Sequence, residues 1–75
     1  MSEFAVILVY STSHAIQAER VLKRAGIAVK LVPTPRHLSS DCGSAVRISR
    51  ADRGASKNAL TEAGVPIDHI EVLDE

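Results

Sequence analysis

The chain has 75 residues, enough for one domain with a thin core, so residues 1–75 read as a single unit. Nine Lys and Arg balance nine Asp and Glu. A formal net charge of zero argues against electrostatic nucleic-acid binding and against an acidic disordered tail. Phe4 and Tyr10 are the only aromatics, too few for a base-stacking surface, and the single cysteine, Cys42, excludes an internal disulfide and a Cys-rich zinc site.

Phe4 to Tyr10 is a short, continuous, β-branched-rich apolar run, which predicts a strand buried on both faces. It is far shorter than the ~20 residues needed to span a membrane. No basic segment precedes it and no cleavage signal follows, so the expected compartment is the cytoplasm, with Cys42 reduced. Ser11 to Ser13 offers helix-capping side chains. Ala15, Ala18, Val21, Leu22 and Ala25 then recur at helical spacing, with Lys23 and Arg24 in the last turn and Gly26 placed for a left-handed cap. A second strand is expected from Ile27 to Val32, ended by Pro33 and Pro35.

Arg36 to Gly43 is polar and turn-rich and reads as a loop. Ser44 to Ser49 alternates as a third strand, with Val46 and Ile48 on one face and Arg47 and Ser49 on the other. Asp52 is the expected N-cap of a second helix carrying Ala55, Ala59, Leu60 and Ala63, weakened by Gly54 in its first turn and ended by Gly64. Ile67 to Leu73 closes the chain as a fourth strand, with Ile70 and Val72 facing inward. Arg24-Ala-Gly-Ile27 and Glu62-Ala-Gly-Val65 echo one another at the two helix-to-strand junctions.

This order, βαββαβ, predicts an α+β ferredoxin-like sandwich: a four-stranded antiparallel sheet with two helices on one face and the first and third strands central. The second face of the first strand then needs cover, from the C-terminal tail or from a partner subunit in a homodimer. The topology brings residues 10–14, 33–44 and 64–66 to one pole.

The densest chemistry lies in the loop Pro33 to Ser44. Two prolines stiffen its approach, and Gly43 is expected to let the backbone turn and another atom come close to Cys42. Arg36 and His37 supply positive charge, which favours the reactive thiolate, while Asp41 acts in the opposite direction. Ser39, Ser40 and backbone N–H groups can donate to an anion. The competing reading is that Cys42 is a small packed hydrophobe. His14 is expected to cap or pack at the first helix and His69 to face solvent. No His, Cys, Asp and Glu grouping has metal-ligand spacing, and no cofactor is indicated.

The stretch Ala15 to Ile27, then Val32-Pro-Thr-Pro-Arg36, then Leu38-Ser-Ser-Asp-Cys-Gly-Ser-Ala-Val-Arg47, resembles a bacterial domain-of-unknown-function family labelled Se/S carrier protein-like. The resemblance runs from about Val9 to Val72. It implies that Pro35, Arg36, Ser40, Cys42 and Gly43 form the functional loop, with Ser11 and Thr12 at the facing helix start. It also implies a sulfur or selenium donor such as a cysteine desulfurase and an acceptor such as selenophosphate synthetase. On this view Cys42 carries a persulfide or perselenide. The alternative is a non-catalytic ligand- or protein-binding regulatory module that uses the 33–44 loop. A stand-alone thiol enzyme fits less well, because no second cysteine can resolve a mixed disulfide within the chain.

Overall fold

Strand β1 (Phe4–Leu8) is the centre of the structure, and its apolar run is the reason. The computed structural model describes residues 3–34 and 43–72. Helix α1 (Thr12–Arg24) follows, then β2 (Val29–Pro33), β3 (Ser44–Ser49), a 3-10 turn (Arg50–Asp52), α2 (Arg53–Ala63) and β4 (His69–Val72). The sheet has four strands in the order β2-β3-β1-β4, with every neighbouring pair antiparallel. This is the expected α+β ferredoxin-like arrangement, with β1 and β3 central.

Alternation along the strands sorts the core. Ala5, Ile7 and Val9 from β1 and its exit join Val46 and Ile48 from β3 in one buried cluster, which α1 covers with Ala15, Ala18 and Leu22 and α2 with Leu60. Val6, Leu8 and Ala45 form a second buried cluster on the other face, with Val32 packed against it. These residues of the second sheet face are fully buried. Arg47 places its guanidinium 4.4 Å from the centre of the Phe4 ring on this face, a cation–π contact.

Both helices stop for the same local reason. Gly26 and Gly64 have φ of +80° and +75°. Beyond them the Ile27 N–H donates to the Leu22 carbonyl (2.9 Å) and the Val65 N–H to the Leu60 carbonyl (3.0 Å). This six-to-one bond with a left-handed residue is the Schellman cap, and the contact of Ile27 and Val65 with the core completes it. The two echoed Ala-Gly junctions are therefore one device used twice.

Several boundaries differ from expectation. β1 ends at Leu8 because the chain leaves the sheet to enter α1: Val9 stays buried and Tyr10 is exposed. β2 starts at Val29, since the Ile27 N–H is committed to the α1 cap, and it runs through Pro33. An edge strand tolerates proline, whose missing donor then costs no ladder bond. β4 starts at His69, and Leu73 lies outside the described residues. Asp52 precedes α2 but its side chain makes no capping bond. The 3-10 turn replaces the cap, with the Arg53 N–H already donating to the Arg50 carbonyl.

The inward faces also shift. Ala25 is exposed. In α2, Ser56 and Leu60 are buried and Ala59 is half-buried, whereas Ala55 and Ala63 are exposed. Ser56 Oγ is buried without a hydrogen-bond partner among the described residues. An unsatisfied buried hydroxyl costs about 1–3 kcal/mol. Ser56→Ala is therefore expected to stabilise the domain by about 1 kcal/mol, read as a higher urea midpoint at unchanged slope.

Candidate functional site

The sheet register assembles one pole. Pro33 pairs with Ser44, Ala45 with Leu8, and Leu8 with His69, so the end of β2, the start of β3, the end of β1 and the start of β4 lie side by side. The Asp68 N–H donates to the Leu8 carbonyl at 2.7 Å and ties the approach to β4 to the same place. Helix α1 begins there. The start of α1 and the described ends of the 33–44 loop are thus gathered at this pole, whereas Gly64 and Val65 line a surface pocket with Gln17, Arg20 and Arg24 of α1.

The loop after β2 is closed at its base. The Thr34 N–H donates to the Gly43 carbonyl at 3.1 Å, carrying the β2–β3 ladder one step beyond Pro33 and Ser44. Arg36, Ser39, Ser40 and Cys42, together with Pro35, His37 and Asp41, lie outside the described residues. Gly43, the residue bonded to Cys42, is exposed.

Gly43 shows no left-handed φ. A β-carbon there would meet nothing within 4 Å. The open space, rather than the backbone angle, is what this glycine offers. Gly43→Ala is accordingly expected to leave the fold intact and to raise stability by about 0.4–1 kcal/mol through the unfolded chain, measured by thermal melting. A loss of stability would show that the backbone there depends on glycine.

At the helix start, Ser11 is the N-cap: its Oγ accepts the His14 N–H at 3.2 Å, and its backbone is extended as a cap requires. Thr12 is exposed in the first turn. Ser11 therefore has a structural task, and its hydroxyl proton remains the group it can direct elsewhere. His14 is half-buried, and its ring meets Tyr10 edge-on, with centres 6.5 Å apart and planes at 86°. Its Nδ1 is buried with no hydrogen-bond partner among the described residues.

A buried ring nitrogen without a partner is costly and calls for a reason. Sequence reading gave His14 only a packing or capping part. The Ser11-x-x-His14 spacing signals the backbone bond but not the fate of the ring. At the start of β4, His69 is exposed as expected and sits between Asp68 (3.3 Å) and Glu71 (3.2 Å).

Residues 4–71 match the family described as putative Se/S carrier protein-like. The chain belongs to this family. The match covers β1 through Glu71 and so includes both helices, all of β3 and the whole 33–44 loop. No curated protein and no solved structure matches the chain. Among the described residues, no helix is long and apolar enough to cross a membrane.

Proposed function

We propose that the protein is a sulfur or selenium carrier, with Cys42 as the atom-bearing residue. What supports this reading is the junction at Gly43. The residue bonded to the chain's single cysteine is exposed and unobstructed, at a pole built from the start of α1 and the base of a closed hairpin. Membership of the Se/S carrier family gives the direction of the chemistry.

In the proposed step the Cys42 thiolate attacks the outer sulfur of a donor enzyme's persulfide. The donor S–S bond breaks and its cysteine leaves as a thiolate. A new S–S bond forms on Cys42, with no external oxidant. Delivery repeats the exchange, an acceptor nucleophile taking the outer sulfur and Cys42 leaving as the thiolate. Selenium follows the same path as a perselenide.

Arg36 favours the thiolate and its chalcogen-loaded form by charge. Ser39, Ser40 and the Gly43 N–H supply donors to the anion, with Ser11 and Thr12 at the facing helix start. A cysteine desulfurase and selenophosphate synthetase are the donor and acceptor classes this chemistry fits, in the cytoplasm, where the thiol stays reduced.

The test is the intact mass of the purified chain before and after incubation with cysteine and a cysteine desulfurase. One added sulfur, removed by a thiol reductant, is the expected result. A Cys42 that takes up no sulfur and also resists alkylation in the folded chain would sink the proposal. The 33–44 loop would then stand as a ligand- or protein-binding element.

A further inference from the structure

At the pole opposite the Thr34–Gly43 hairpin, β1 begins, β3 ends and α2 begins. The Arg50 N–H donates to the Glu3 carbonyl there at 2.9 Å, fastening the 3-10 turn to the start of β1. Beside this seam is an open cleft of about 1020 Å³. Arg50, Arg53 and Lys57 line it, together with Phe4, Ile70 and one carboxylate, Glu3. Among the described residues, the lining holds three cations and one anion.

Folding does not explain the arrangement. Arg50, Arg53 and Lys57 follow one another at spacings of three and four, which puts them on one face of the 3-10 turn and helix. Like charges so spaced repel, and no Asp or Glu stands three or four positions from any of them. All three are exposed and make no ion pair among the described residues. Arg50 and Arg53 also sit at the positive end of the α2 dipole, where cations are disfavoured, and the first turn of α2 holds no acid.

Gly54, on the wall of the same cleft, weakens the helix without a left-handed φ to require it, and a β-carbon there would meet nothing within 4 Å. Local choices that all work against the helix and all border one cavity point to a site. The free helix end is not what recommends it, since the Arg53 N–H is already bonded to the Arg50 carbonyl.

We infer that this cleft binds a small molecule carrying two or more linked phosphate groups. The volume is just above the about 300–1,000 Å³ typical of small-molecule sites. The three cations line one open cleft within about two helical turns, a span that a compact polyanion can bridge. Two arginines offer paired donors matched to phosphate oxygens, and Lys57 adds a movable charge. Ile70 provides an apolar floor for the organic part of such a ligand.

The experiment is a titration of the full chain with pyrophosphate and with ATP, followed by amide NMR shifts. Saturable binding is expected with a Kd below about 1 mM, with shifts centred on residues 49–57 and Glu3. Arg53→Ala and Lys57→Ala should each weaken binding about 10-fold or more, as loss of a charged hydrogen bond implies. Gly54→Ala should raise the melting temperature while weakening binding, a pair of signs that damage to the fold cannot produce. Equal affinity for the two ligands assigns recognition to the phosphates alone, and tighter ATP binding adds the apolar floor. The inference is overturned if shifts are absent up to about 10 mM ligand. It is equally overturned if the substitutions leave affinity unchanged, or if a glutamate-rich peptide binds more tightly than pyrophosphate.

Discussion

Cys42→Ser is expected to abolish sulfur loading completely while the amide NMR spectrum of the described core stays unchanged. A serine hydroxyl is not a thiolate nucleophile and forms no persulfide, so the loss is total rather than graded. The fold should persist because the residues that anchor the loop are elsewhere: Thr34 and Gly43 hold its base through backbone atoms, and both core clusters are built from other elements. Intact mass after incubation with cysteine and a desulfurase, wild type beside variant, is the readout. If the variant still gains a sulfur, the carrier site is not Cys42. If the wild type gains none while the variant keeps every ligand and partner of the wild type, the loop is a binding element and the cysteine is incidental to it.

Leu60→Ala should cost about 2–5 kcal/mol, the usual range for emptying a fully buried leucine site. Leu60 has no exposed surface and is the only fully buried apolar residue that α2 contributes to the main core. A domain of 75 residues is expected to hold only about 4–11 kcal/mol in total, so the variant sits near the edge of folding. In thermal unfolding the drop should be on the order of 10–40 °C. The companion substitution Ala63→Glu is on the same helix but at an exposed position, and should stay within about 0.5 kcal/mol of wild type. Similar losses for the two would mean that α2 packs through a different face. The comparison separates the face that periodicity suggests from the face that the structure buries.

Most of the fold was legible because its signals are local. The run Phe4 to Leu8, the alternation of Ser44 to Ser49 and the Ala-Gly ends of both helices each act within a few residues, and each formed the expected element. Asp52 failed as a cap because a 3-10 turn, stitched to Glu3 from the far end of the chain, satisfied the helix entry first. In α2, alanines at helical spacing do not distinguish an inner from an outer face. Leu60 against Ile7 and Leu22 decides it, and that brings Ser56 inside with it.

The site divides in the same way. Ser11 as a cap, and a loop bounded by Pro33 and Gly43, could be read directly from residue types. The burial of His14 Nδ1 without a partner among the described residues could not, since burial is a property of the folded chain. Nor could the cationic cleft. Arg50, Arg53 and Lys57 are neighbours in sequence, but the wall and floor that make a cavity of them, Glu3, Phe4 and Ile70, arrive from the two ends of the chain.

By itself, the sequence determined the order of elements, their caps and the single thiol, because periodicity, capping and composition are properties of short stretches. The tertiary structure decided which helix face is buried, that the second face of β1 is buried as well, and which strand ends share a pole. Those outcomes depend on strand register and long-range packing, and no short stretch contains either.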